Sequence, residues 1–309
     1  MTSRGEKKKG VFWSEKRKDL LFYAIAIALP VLQFCIFYIG VNFNSILLSF
    51  QRYDRAGNAF VFCGFDNFKN VLTDFFTGFT LKNGFFNSLK VWALTTVISL
   101  PLSMLFSYFI YKKFPLAKFF KVALFLPQVV SGIVTVVIYM YFVERAIPAL
   151  SEAVFHRSFE GWLSNPDTRF GALLFYNVFY SFGSYILLFL GGMNGVDPAV
   201  VEAGKIDGAT GFKEFWYIVM PEVYPTFTTF FVLSVAGIFS NQFALFSFYG
   251  IEAGSNVMTF GYYLYAQTSI ATDTEYPRLA AIGLLATLLI VPVTLLVKHG
   301  LEKIGPKET

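Results

Sequence analysis

The sequence predicts an all-α membrane protein with six transmembrane helices and both termini on the cytoplasmic side. Three observations carry this. Hydrophobic residue types make up 55% of the 309 residues and charged types only 15%, whereas a soluble domain carries about 25% charged residues. Apolar runs long enough to cross a bilayer, about 20 residues each, occur six times. Lysine and arginine are dense on every second connection, which is the pattern that sets orientation.

The runs extend from Leu20 to Ile39, Leu89 to Tyr111, Val122 to Phe142, Phe170 to Leu190, Thr226 to Phe246 and Leu279 to Val297. Residues 1–19 form a basic cytoplasmic head, residues 20–299 the transmembrane domain, and residues 300–309 a cytoplasmic tail. The head precedes an apolar run longer than a signal peptide's and shows no small-residue cleavage site, so the first run is read as a retained helix. Sixteen of the 25 basic residues fall in the head, the second-to-third turn, the fourth-to-fifth loop and the tail. The formal net charge of +5 therefore reads as topology and lipid contact rather than as a nucleic-acid surface.

Little in the composition points to catalysis. Cys35 and Cys63 form no CxxC, and His156 and His299 are far apart in sequence, so neither a disulfide nor a metal site is expected. Asp273 and Glu275 fall in an outer loop, where solvated carboxylates are ordinary. No G-x-x-x-x-G-K-[S/T] occurs, so the chain has no P-loop to cradle a nucleotide.

The spans carry neutral amides and hydroxyls at helical spacing. Asn177, Tyr180, Ser181 and Ser184 share one face of the fourth run, and Gln128, Ser131 and Thr135 share one face of the third. On the fifth, Ser234 and Asn241 are seven apart, with Gln242 adjacent. Interhelical hydrogen bonding, worth about 0.6 kcal/mol on average, is the stronger reading for the hydroxyls. An unpaired amide in hydrocarbon costs several kcal/mol, so three of them suggest equally a wet cavity. Amides beside aromatic rings suit a neutral polyhydroxylated ligand, whose hydroxyls need hydrogen-bond partners and whose C–H faces rest on rings.

The loop at residues 195–221 holds the strongest local signal. Asp197 followed by Pro198 is a helix start, and a short helix is expected from Pro198 to about Asp207. Gly208 suits its left-handed end. Thr210 is expected to cap a second short helix through Val219, with Pro221 and Pro225 breaking the chain before the fifth span. Ala199, Ala203 and Gly204 leave the first helix thin, with room for another surface to approach.

Glu202-Ala203-Gly204, Asp207-Gly208-Ala209 and Ile218-Val219-Met220-Pro221 resemble the EAA loop of type I ATP-binding-cassette importer permeases, in the form typical of the carbohydrate branch. Ser49 to Phe68, Asn87-Ser88-Leu89, Phe125-Leu126-Pro127 and Thr259 to Tyr265 extend the resemblance over most of the chain. Gly204 stands for the motif's second Ala, Met220 for its Leu, and Gly250 to Gly254 lacks the usual Gly-Gly-Pro.

The resemblance implies one of two permease subunits in the plasma membrane of a bacterial cell. It implies as partners a second permease, two cytoplasmic ATPases, an extracytoplasmic binding protein and an oligosaccharide substrate. ATP and Mg belong to the ATPases, with no cofactor in this chain. Glu202, Ala203, Gly204, Asp207 and Gly208 fall on the ATPase-coupling motif. Gln128, Asn177, Tyr180, Ser181, Asn241 and Gln242 fall on or beside the sugar path. The alternatives are a permease for a non-sugar solute and an ATP-independent channel.

Overall fold

The computed structural model describes the backbone of residues 6–306 and the side chains of residues 17–306. Among them six helical stretches are long and apolar enough to span a membrane: Arg17–Ser49, Thr80–Tyr111, Gly132–Phe155, Pro166–Asn194, Phe212–Ala236 and Tyr276–Ile304. The predicted basic head is largely helical, since the first helix begins at Glu6. Its first residues, and the tail beyond Pro306, lie outside the described residues.

The chain divides into a smaller unit, which ends at Val71 and includes Thr272–Leu284, and a larger unit formed by Leu72–Ala271 and the segment from Leu285 onward. In the smaller unit, α1 (Glu6–Gln33) passes through a π turn, Phe34–Gly40, into α2 (Val41–Ser49). Every side chain from Arg17 to Leu47 is exposed, which for so apolar a helix is the surface of a membrane span. A hairpin follows, with β1 (Gln51–Asp54) antiparallel to β2 (Ala59–Phe62) and Gln51 opposite Phe62. Asn67, in α3 (Asp66–Thr77), fixes the hairpin by donating to the Ser49 and Gln51 carbonyls at 2.9 and 2.7 Å. Glu275 reaches back to the Thr272 N–H at 2.8 Å as a capping box for the last helix, and this bond holds its carboxyl below the usual range.

The larger unit is built on α4 (Thr80–Tyr111) and α8 (Pro166–Asn194). Ser99, Ser103 and Ser107 lie one turn apart on α4, and all are fully buried. They donate to the Val178, Phe182 and Ile186 carbonyls of α8 at 3.4, 3.2 and 3.0 Å. The constant sequence offset of 79 means that the helices run parallel and in register, as the second and fourth spans must. Small residues at such a seam let backbones approach closely. Because each serine has only one interhelical bond to lose, Ser103→Ala is expected to cost about 0.6 kcal/mol and no more than ~1.7, measured by denaturant unfolding of the purified protein.

The third predicted run, Val122 to Phe142, is corrected: it is not one helix. It breaks between α5 (Ala117–Val129) and α6 (Gly132–Tyr141), where Val130 and Ser131 are extended. Pro127 removes a helical hydrogen bond just before the break, while the apolar residues continue across it. The span continues from α6 through a π turn, Phe142–Ala146, into α7 (Ile147–Phe155).

The fifth predicted run, Thr226 to Phe246, is also displaced. The helix starts at α10 (Phe212–Glu214), continues through a π turn, Phe215–Val219, and ends with α11 (Met220–Ala236). Pro221 and Pro225 therefore do not break the chain. Met220 N–H bonds to the Phe215 carbonyl five residues back, and this widened turn accommodates Pro221. The same device precedes Pro148, where Ile147 N–H bonds to Phe142.

Over the predicted end of the fifth run, residues 237–244 are instead irregular backbone, leading into α12 (Leu245–Tyr249). After it come α13 (Phe260–Ile270) and α14 (Tyr276–Ile304).

Candidate coupling loop and passage

Between the fourth and fifth spans, α9 (Pro198–Ile206) is the helix that Asp197-Pro198 announces. The Asp197 carboxylate accepts from Ala199 N–H at 2.8 Å. At the other end, Gly208 is left-handed at φ +81°, Gly208 N–H bonds to the Lys205 carbonyl at 3.1 Å, and Ala209 N–H bonds to the Gly204 carbonyl at 2.8 Å. These paired bonds form a Schellman motif, which satisfies the last carbonyls of so short a helix. Thr210 does not cap a second helix. Gly211, at φ 57°, takes that position, and Thr210 offers only its backbone carbonyl, to Lys213 N–H.

One face of α9 is held and the other is free. Val201 is buried, while Glu202, Ala203, Lys205, Asp207 and Gly208 are exposed and Ile206 is 86% exposed. Gly204 is corrected from the thin, outward surface expected of it. A Cβ there would lie 2.0 Å from Ile218 Cδ1, so the space is already taken by the chain's own next turn. Because the obstacle is the tip of a flexible side chain, Gly204→Ala is expected to cost under about 1 kcal/mol. Pairing it with Ile218→Val should recover that cost in denaturant unfolding, and an additive pair would rule out the contact.

The loop is anchored to α4 by residues that sequence reading overlooked. Lys112 Nζ donates to both Glu214 carboxylate oxygens at 2.9 and 2.8 Å, with Glu214 only 1% exposed. One turn earlier on α4, the Tyr108 hydroxyl donates to the Gly211 carbonyl at 2.9 Å. Phe215, Val219 and Val223 pack beside these groups on Leu100, Met104, Phe189 and Met193. In sequence, Lys112 is one more basic residue after a span, and no spacing links it to Glu214.

The residues expected along a passage divide into two linked groups. Gln128, on α5, donates to the Tyr180 carbonyl on α8. Close by, Gly183 allows α8 to approach the Leu124 carbonyl, since a Cβ there would lie 2.2 Å from it. The Tyr180 ring stacks on Tyr176 with centroids 5.9 Å apart, and a Cβ on Gly132 would lie 3.9 Å from the Tyr180 hydroxyl.

In the second group, Asn177 donates to the Leu173 carbonyl at 2.9 Å and to the Phe243 carbonyl at 3.3 Å. The Asn241 side chain accepts from Phe243 N–H at 2.8 Å, and its backbone carbonyl accepts from the Thr259 hydroxyl at 2.8 Å. Phe243 and Ala244 are both left-handed, at φ 57° and 54°, a costly conformation for side-chain-bearing residues that these bonds secure. Gln242 lies half-buried between the bonded residues, and Ser181 is half-buried on α8.

The amides thus have structural work to do. Gln128 and Asn177 spend amide N–H groups on backbone carbonyls, which leaves their carbonyl oxygens as acceptors without a partner among the described residues.

These features define a multi-pass helical membrane protein with an exposed, internally clamped helix between its fourth and fifth spans. The chain belongs to the family described as binding-protein-dependent transport system inner membrane component, whose model matches residues 85–304, more than half of its length. It is therefore a transport component rather than a catalyst. It is 27% identical over 297 residues to the arabinooligosaccharides transport system permease protein AraP of Bacillus subtilis, covering 93% of this chain and 90% of that protein. It is 25% identical over 268 residues to the multiple sugar-binding transport system permease protein MsmF of Streptococcus mutans, covering 86% and 91%. With the sn-glycerol-3-phosphate transport system permease protein UgpA of Agrobacterium fabrum it shares 27% identity over 237 residues, 74% of each chain. A chain in the crystal structure of the bacterial alginate ABC transporter in complex with alginate pentasaccharide-bound periplasmic protein has the same fold, with a TM-score of 0.76, 18% identity and coverage of 96% and 99%.

Proposed function

We propose that this chain is one of two permease subunits of an ATP-driven importer for an oligosaccharide that an extracytoplasmic binding protein delivers. The observation that carries the reading is α9, a helix capped at both ends, anchored along one side and exposed along the other. Glu202, Ala203, Asp207, Gly208 and the projecting Ile206 face a cytoplasmic ATPase, and Gly204 supports them from behind. Both termini are cytoplasmic on this reading, as the basic residues favour. ATP and Mg sit on the ATPase subunits, and this chain's part is mechanical: closure of the ATPases moves α9, and the spans shift between inward and outward access.

Gln128, Asn177, Tyr180, Ser181, Asn241 and Gln242 line the path on this reading. Their neutral acceptors and neighbouring rings suit sugar hydroxyls and C–H faces. The sugar-named relatives support the same class. A second reading, an anionic phosphorylated solute, draws on the UgpA likeness and on Lys90, which lies within α4 with its ammonium 4.2 Å from the Phe170 ring centroid.

The test is uptake into proteoliposomes holding the assembled importer, with labelled arabinotriose, maltotriose and sn-glycerol 3-phosphate. ATP-dependent uptake of an oligosaccharide is expected, and uptake of the phosphate ester alone would favour the second reading. Glu202→Ala is expected to stay in the membrane and to lower uptake about tenfold, within the range of allosteric couplings. Solute flux without any ATPase would overturn the proposal.

A further inference from the structure

We propose that the Lys112–Glu214 ion pair is the joint through which movement of α9 reaches the second span, and that Glu214 is its positioning residue. This rests on the reading of α9 as the ATPase-docking helix. The pair lies behind that docking surface: Glu214 is 1% exposed and Lys112 24%. A buried ion pair is seldom the most stabilising choice, since apolar residues of similar volume often do as well. What it supplies is a fixed geometry, because both carboxylate oxygens are held by one ammonium group at 2.9 and 2.8 Å.

Position gives that geometry a use. The pair closes a loop of attachments around α9. Its N-terminal side continues directly from α8 through Gly195, the buried Val196 and Asp197. On its C-terminal side, Gly211 and Glu214 are held by Tyr108, in the last turn of α4, and by Lys112, its C-cap residue four positions on. Ser99, Ser103 and Ser107 then lock α4 to α8. A displacement of α9 is thereby delivered to α4, α8 and α11 together. Without the ion pair the attachment to α4 falls to one neutral hydrogen bond from Tyr108 and the apolar contacts of Phe215, Val219 and Val223, none of which fixes a direction as a two-oxygen ion pair does. Glu214 also sits directly before the π turn Phe215–Val219, the widened segment of the fifth span. The pair therefore fixes the first turn of the fifth span, on the side from which α9 approaches.

The experiment uses the complete importer in proteoliposomes, with Cys35→Ser and Cys63→Ser removing native thiols and Ser181→Cys reporting from the passage. N-ethylmaleimide labelling of that cysteine is measured with and without ATP and vanadate, beside ATP hydrolysis. With Lys112 and Glu214 intact, ATP with vanadate should change the labelling rate about tenfold, in the range of allosteric couplings. Glu214→Gln and Lys112→Met should still assemble and hydrolyse ATP while losing most of that response. The exchanged pair, Lys112→Glu with Glu214→Lys, should recover at least half of it.

An unchanged response in both single variants would overturn the joint. So would a response lost in the single variants and not recovered by the exchange, since that outcome marks a merely structural role. Should Glu214→Gln fail to assemble, Glu214→Asp and Lys112→Arg keep both charges and change only their reach; an unaltered response in both would overturn the joint, and a partial loss would support it. Failure of the intact chain to bind ATPases, or to respond to ATP, would instead defeat the docking reading itself and the joint with it.

Discussion

Gly183→Val is expected to destabilise the protein by about 3 kcal/mol, the upper end of ordinary overpacking. A Cβ at this position would lie 2.2 Å from the Leu124 carbonyl oxygen and 3.3 Å from its carbon. Both are backbone atoms of α5, so no side-chain rotation relieves the clash, and one helix must move by more than an ångström. The displacement would break the bond from Gln128 to the Tyr180 carbonyl and disturb the packing of Phe182 and Ile186 on Leu124. Valine adds two further methyl groups and a poor intrinsic helix propensity, though replacing glycine recovers some helix stability. The check is denaturant unfolding of the purified chain, together with the yield from membranes. A variant that unfolds with the wild-type protein would show that α5 and α8 are not held at this distance.

Gly261→Ala acts on the irregular segment after α11. The new Cβ would lie 2.6 Å from Ser240 C, 2.7 Å from Ser240 O and 2.8 Å from Asn241 O. Again the obstacle is backbone, and here it belongs to the segment that places Asn241 and the left-handed Phe243 and Ala244. Pushing α13 away stretches the Thr259 hydroxyl from the Asn241 carbonyl and Phe260 N–H from the Ser88 hydroxyl, now at 2.8 and 2.9 Å. A loss of about 2 kcal/mol is expected. A double-mutant cycle with Thr259→Val separates this mechanism from general damage. Since Gly261→Ala already breaks the threonine's bond, Thr259→Val should cost clearly less in that background than alone, and full additivity would exclude the mechanism.

Much of the loop between the fourth and fifth spans was legible because its signals are local. Asp197-Pro198 marks the start of α9, and Gly208 marks its end through a backbone angle that other residues adopt only at a cost. What lay outside the reading depended on partners remote in sequence. Gly204 looked like an opening for another protein until Ile218 was found in it. Ser99, Ser103 and Ser107 stand in an apolar run with no local signal of their own, and their role appears only when α8 is placed beside them. The predicted spans failed where apolar composition and helix geometry part company. Residues 130–131 and 237–244 are apolar enough to continue a run, yet their backbones leave the helix.

Taken alone, the sequence determined that this is a multi-pass helical membrane protein, roughly where its six spans lie and that a capped helix precedes the fifth, because length, polarity and caps act within a few residues of one another. Only the tertiary structure decided which glycines are obligatory, how α4 and α8 register, and that Glu214 meets Lys112. Those outcomes depend on atoms brought within a few ångströms by segments far apart in the chain, and no local pattern records that distance.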